Sequence, residues 1–133
     1  MKQRSYFANV GNTPLVKISR QLYAKLETYN PTGSIKDRMI AYVVRRAQER
    51  DEFGENTTFI EATSGNTGIA LAAAGAALGN PVKIIMPCNM SEERKQMIRA
   101  FGAEVVEVGH SDFQGAIALR GQMMLTGEDV WSP

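Results

Sequence analysis

Thr58-Phe59-Ile60-Glu61-Ala62-Thr63-Ser64-Gly65-Asn66-Thr67-Gly68-Ile69-Ala70-Leu71-Ala72-Ala73-Ala74-Gly75-Ala76-Ala77-Leu78 runs from a short β-rich segment, through a polar loop, into a stretch of small apolar residues. Residues 58–61 read as a buried strand and 66–78 as a helix. That helix is apolar all round, so it belongs at the centre of a fold with its neighbours close. Gly79, Asn80 and Pro81 then stop it. Strand, loop and buried helix in this order make one step of a parallel sheet.

The same rhythm continues on both sides. Apolar runs at 14–18, 24–27, 82–86 and 104–108 read as buried strands, and segments of helical period at 34–50, 91–101 and 113–125 read as helices. Ser34 and Ser91 stand where N-caps belong, and Glu92 and Glu93 put negative charge in a first turn, where the helix dipole favours it. In the helix over 34–50, Ile35, Met39 and Val43 lie near one face with Ile40, Val44 and Ala47 beside them, while Arg45, Arg46, Glu49 and Arg50 face out. That is the pattern of a packed helix and not of a basic binding surface. The expected fold class is α/β, a mainly parallel sheet with helices on both faces, formed as a single unit over residues 1–133.

Composition narrows the function. The chain has 133 residues, 44% hydrophobic and 22% charged, with 15 basic against 14 acidic side chains and a net charge of +1. Without clustered Lys and Arg, nucleic acid and membrane surfaces are not expected partners. The longest low-polarity run, 69–79, falls well short of the roughly 20 residues a membrane span needs. Residues 1–5 carry no apolar signal core, so the expected location is cytoplasmic. A single cysteine, Cys88, and a single histidine, His110, leave no disulfide framework and no Cys/His metal cluster. The length suits one domain with a real core, but it is short for an enzyme that closes two domains around a cofactor.

Two loops carry the chemistry. In Asn30-Pro31-Thr32-Gly33-Ser34-Ile35-Lys36-Asp37-Arg38, turn residues deliver the chain abruptly into a helix and put Lys36 in its first turn. A nucleophilic lysine must be neutral; desolvation and a cation such as Arg38 favour the neutral form, whereas a carboxylate such as Asp37 opposes it. The residues leave that balance open, and an ordinary surface lysine beside an Asp and an Arg has the same spacing. In Glu61-Ala62-Thr63-Ser64-Gly65-Asn66-Thr67-Gly68, backbone N–H groups, a helix dipole and short polar side chains make an anion site at the carboxyl end of a strand. A capped turn with its hydroxyls used locally reads equally well. Neither G-x-G-x-x-G nor G-x-x-x-x-G-K-[ST] is present, so nucleotide binding is not indicated.

Together these segments, with Gly11-Asn12-Thr13-Pro14-Leu15-Val16, Met86-Pro87 and Asn89-Met90-Ser91-Glu92-Glu93-Arg94, resemble the cysteine synthase family of fold type II pyridoxal-phosphate enzymes. Cystathionine β-synthase and threonine dehydratase are more distant relatives of that family. The likeness runs in order and spacing from Gly11 to about Leu125, and Glu61-Ala62 with Met90-Ser91-Glu92-Glu93-Arg94 look most like the bacterial B-type isozyme.

The resemblance implies roles by position. Lys36 matches the lysine that holds pyridoxal 5'-phosphate as a Schiff base and then acts as base for the substrate α-proton. Asn66 matches the asparagine that hydrogen-bonds the cofactor's ring 3-oxygen, and Thr63, Ser64, Gly65, Asn66 and Thr67 form the loop that grips the substrate carboxylate. The implied reaction is β-replacement of the acetyl group of O-acetylserine by sulfide, or another sulfur donor, giving L-cysteine and acetate. A homodimer is implied for the complete enzyme.

Departures accompany the likeness. The family's Gly/Thr-rich phosphate loop and the Ser or Thr partner of the ring nitrogen belong to a larger C-terminal domain, and neither motif is in this sequence. The Gln-Phe loop after the next strand is absent, and the connection 19–23 is shorter than usual. The chain therefore reads as the first part of a cysteine synthase. A short non-catalytic module and a stand-alone carboxylate- or phosphate-binding protein of the same fold are the alternatives. Cys88 and His110 read as spectators, Met123, Met124 and Leu125 as core, and Trp131 as either packed against the rest of an enzyme or exposed at a frayed end.

Overall fold

Val82-Lys83-Ile84-Ile85-Met86-Pro87 is almost continuously apolar, a pattern that suits a strand only at the centre of a covered sheet. It sits there. The computed structural model describes residues 3–127 and 129–133, with side-chain surroundings from Tyr6 onward; Met1, Lys2 and Glu128 lie outside the described residues. In chain order the elements are α1 (Gln3–Asn9), β1 (Leu15–Lys17), β2 (Tyr23–Lys25), a 3-10 turn (Glu27–Tyr29), α2 (Lys36–Glu49), β3 (Thr58–Ala62) and α3 (Asn66–Leu78). Then come β4 (Val82–Pro87), α4 (Glu92–Ala100), β5 (Glu104–Val108), α5 (Phe113–Thr126) and β6 (Val130–Trp131).

The main sheet is parallel throughout, in the order β5-β4-β3-β6. The chain steps outward from β3 to β4 to β5, then returns through α5 to the far side of β3. Right-handed crossovers put α3 and α4 on one face and α5 on the other. The packing agrees, since α3 touches α4 while α5 lies against β3, β4 and β5. Helices thus cover both faces, as the sequence implies.

The main core lies between the sheet and the helices α2 and α3. Ile40, Val44 and Ala47 of α2 meet Ile69 to Ala74 of α3, which in turn cover Phe59, Val82, Ile84 and Met86. Ile60 and Ile85, at the alternate strand positions, are buried as well. Two glycines let α3 come this close. A Cβ at Gly68 would stand 2.9 Å from the Thr63 methyl and 3.0 Å from Ile84, and one at Gly75 would overlap Val82. Gly79 closes α3 in the left-handed region at φ 88°, returning its N–H to the Gly75 carbonyl. Asn80 is buried, and its amide donates to the carbonyls of Gly54 and Thr57 at 2.8 and 3.0 Å.

Several expectations change. The segments β1 and β2 form a separate antiparallel hairpin, and their apolar side chains are exposed, Leu15 at 64%. Apolar periodicity locates a short strand but cannot report whether anything covers it. In α2, Ile35 and Met39 are exposed, because the helix turns the Ile40–Val44 row and not the Met39 row toward α3. The Ser91 side chain makes no capping bond, and Leu125 is 89% exposed with Met124 beside it in the open. Trp131 is only 7% exposed, stacked edge-on against Phe59 at 5.0 Å and near Phe53 at 5.2 Å, with its indole N–H on Glu52. Neither expectation for Trp131 holds: it packs within the described chain.

Candidate active site

The segment 30–38 is shaped before its lysine is placed. Gly33 takes φ 83° and returns its N–H to the Asn30 carbonyl at 2.8 Å, turning the chain into α2. Ser34 Oγ accepts the Lys36 N–H at 3.2 Å, so Ser34 does cap this helix although α2 begins two residues later. Lys36 is the first residue of α2 and is half-buried. Its amine makes no hydrogen bond or ion pair with the described residues.

Both charged neighbours of Lys36 are engaged elsewhere. The Asp37 carboxylate is fully buried and accepts from Tyr6 Oη at 2.8 Å, from the Thr32 N–H at 3.0 Å and from Thr32 Oγ1 at 2.9 Å. Burial, then the bond to Asp37 and its charge, push the Tyr6 phenol well above the ordinary tyrosine range. Arg38 grips both oxygens of Glu27, at 2.7 and 2.9 Å, and reaches Thr13 Oγ1 at 3.1 Å. The Arg38 guanidinium, then the Thr13 hydroxyl, holds the Glu27 carboxyl down at about 2. Asn30 completes this cluster by donating to Glu27 Oε2 and accepting the Gly11 N–H, both at 2.8 Å. Much of the 11–16 and 30–38 sequence signature is therefore scaffolding around one lysine.

The second loop leaves the carboxyl end of β3. The Thr63 N–H bonds the Ile85 carbonyl at 3.0 Å and ends the ladder; Gly65 then stands at the N-cap of α3, where no side chain caps the helix. The side-chain polar groups of Thr63, Ser64, Asn66 and Thr67 make no hydrogen bond to the described residues. Their hydroxyls and amide are not used locally, which removes the capped-turn alternative. A Cβ at Gly65 would meet nothing within 4 Å, so the loop opens onto free space. Arg94 of α4 reaches over it to the Ser64 carbonyl at 3.4 Å, a contact that sequence spacing gave no sign of.

These two loops share one edge of the molecule. Strand β3 lies at the point where sheet order reverses, with β4 on one side and β6 on the other, and ligands of open parallel sheets sit at such a point, outside the strand ends. Tyr6 links the helix starts, because its hydroxyl touches Asp37 in the first turn of α2 and the Ala70 carbonyl near the start of α3, at 2.8 and 3.3 Å. Lys36 precedes Asp37 and residues 63–67 open α3, so Tyr6 ties together the two helix starts that follow these loops. A cavity of about 300 Å³ lined by Gln48, Phe53, Gly54 and Leu78 lies by the far ends of α2 and α3 and touches none of them. Cys88 and His110 are exposed.

An open parallel sheet thus carries a helix-start lysine, whose amine makes no hydrogen bond with the described residues, and a loop of short polar side chains at its switch strand. The family model described as pyridoxal-phosphate dependent enzyme matches residues 6–130, and the chain belongs to that family. Cysteine synthases are among its relatives there. It is 44% identical over 127 residues to cysteine synthase B of Escherichia coli strain K12, covering 90% of this chain and 42% of that protein. It is 46% identical over 126 residues to cysteine synthase B of Pseudomonas syringae pv. syringae, covering 89% of this chain and 75% of that one. Among solved structures, a hydrogen sulfide-producing enzyme of Fusobacterium nucleatum superposes with a TM-score of 0.89 at 42% identity, covering 99% of this chain and 42% of that one. The chain thus spans less than half the length of the Escherichia coli protein.

The residues present fit this family's cofactor. Pyridoxal phosphate offers a carbonyl carbon to an amine and anionic oxygens to hydroxyl and amide donors. Lys36 and the 63–67 loop would supply those groups, and their side chains make no hydrogen bond with the described residues.

Proposed function

We propose that the chain is the lysine-bearing, carboxylate-binding part of a cysteine synthase that exchanges the acetate of O-acetylserine for sulfide, or another sulfur donor, to give L-cysteine. What supports this reading is that the Lys36 amine and the side chains of Thr63, Ser64, Asn66 and Thr67 make no hydrogen bond with the described residues, on loops leading into two helix starts that Tyr6 links. Pyridoxal phosphate, when bound, supplies the electron sink for charge left at the substrate α-carbon. Lys36 would hold its carbonyl carbon and, once released, would take the substrate's α-proton on Nζ.

The hydroxyls of Thr63, Ser64 and Thr67, with the N–H groups at the start of α3, hold the substrate carboxylate where the helix dipole favours negative charge. The open space at Gly65 gives that carboxylate room, and Asn66 would donate to the cofactor's ring oxygen. With the carboxylate held and the α-proton on Lys36, acetate leaves the β-carbon and sulfide adds there. The proton on Lys36 then returns to the α-carbon. In this reading the protein works in the cytoplasm as a homodimer. A second reading keeps the same residues and releases hydrogen sulfide from a sulfur-bearing amino acid; the likeness to the Fusobacterium enzyme favours it.

The test is to incubate the chain with pyridoxal phosphate, reduce with borohydride and locate the pyridoxyl group by mass spectrometry. The expected result is a label preferring Lys36 and lost in Lys36→Ala. Binding is expected to be weak, because the family's phosphate loop is not among these 133 residues. A label spread over exposed lysines such as Lys17 and Lys25, with no preference for Lys36, contradicts the reading.

A further inference from the structure

Asp37 directly follows Lys36, is fully buried, and has no cation among its hydrogen-bond partners. A buried carboxylate needs compensation. Here it comes from three donors and from the first turn of α2, where the dipole favours negative charge. The donors divide unevenly. Oδ2 receives both the N–H and the hydroxyl of Thr32, whereas Oδ1 receives, among the described residues, the Tyr6 hydroxyl alone. Tyr6 comes from α1, 31 residues away, and is itself buried, with its oxygen also 3.3 Å from the Ala70 carbonyl of α3.

We propose that Tyr6 is a positioning residue for Lys36, acting through Asp37. Its hydroxyl fixes the starts of α2 and α3 against each other, which sets the Lys36 amine relative to the 63–67 loop. It also keeps Asp37 Oδ1 occupied. Without that hydroxyl, Oδ1 is left a buried carboxylate oxygen short of a donor, and the first turn of α2, with Lys36 at its start, loses the contact that holds it against α3. Thr32 anchors the other oxygen and plays a lesser part, because its backbone N–H remains whatever its side chain. Arg38 does not share this role, since its clamp runs to Glu27 and Thr13, beside the hairpin and away from α3.

The inference rests on Lys36 being the cofactor lysine, so its test measures both. The parent chain, Tyr6→Phe, Thr32→Val and Trp131→Phe are each treated with pyridoxal phosphate and borohydride. The label on Lys36 is expressed relative to that on Lys17 and Lys25, and circular dichroism checks folding. In Tyr6→Phe the relative label on Lys36 is expected to fall about tenfold, the scale of a small misplacement of a reacting group. A smaller fall is expected in Thr32→Val and none in Trp131→Phe, which loosens the opposite end of the fold. If the parent labels Lys36 preferentially and folded Tyr6→Phe does so equally, the positioning role is overturned while the cofactor site stands. An equal fall in Trp131→Phe also overturns it, as general loosening. Should Tyr6→Phe not fold, Thr32→Val decides, and parental labelling there counts against the role. A parent without preference for Lys36 overturns both.

Discussion

Glu27 shows how a half-exposed carboxylate can matter to a lysine it never touches. Its folded value of about 2 lies below the ordinary 4.5, first because of Arg38 and then because of Thr13. A depressed carboxyl stabilises the fold above its ordinary value and loses that contribution as pH falls through the folded one, so the window runs from 4.5 down to about 2. Stability measured by urea against pH is therefore expected to fall less steeply across that window in Glu27→Gln than in the parent. Parallel curves would mean that the Arg38 clamp is not a stabilising contact. At this scale the sequence offers Lys36, Asn66 and the Thr63, Ser64 and Thr67 donors as candidates from the composition of their loops. What they bond to was not legible there. The ambiguity over whether Asp37 or Arg38 dominates at Lys36 dissolves because both turn away, to partners in other segments.

The two apolar helices α3 and α5 look alike in sequence and differ in how closely they are packed. Gly75 in α3 has no room for a methyl group against Val82 and the Asn80 carbonyl, while Gly121 in α5 has nothing within 4 Å. Alanine improves intrinsic helix propensity by about 1 kcal/mol at either position. At Gly75, overpacking of about 1–3 kcal/mol outweighs that gain, so Gly75→Ala is expected to destabilise the chain. Gly121→Ala is expected to stabilise it by up to about 1 kcal/mol, close to the full propensity gain. Chemical denaturation of both variants checks the contrast, and equal shifts would contradict the packing described. The boundaries of α3 and β5 were legible to the residue, because periodicity and stop signals are local. The seven-residue α1 and the two-residue β6 were not, since their reasons for existing are partners far along the chain. Tyr6 reaches Asp37 across 31 residues, and Trp131 reaches Glu52 across 79.

In the whole molecule, the return of the chain from β5 through α5 to β6 makes β3 the switch strand and leaves its loop open between diverging connections. Among the described residues no helix is long and apolar enough to cross a membrane. The central claim is that Lys36 and residues 63–67 form one site, and amide hydrogen exchange before and after pyridoxyl attachment at Lys36 tests it directly. Slower exchange is expected at the N–H groups of 64–67 along with the start of α2. Protection confined to α2, with 64–67 unchanged, would contradict it.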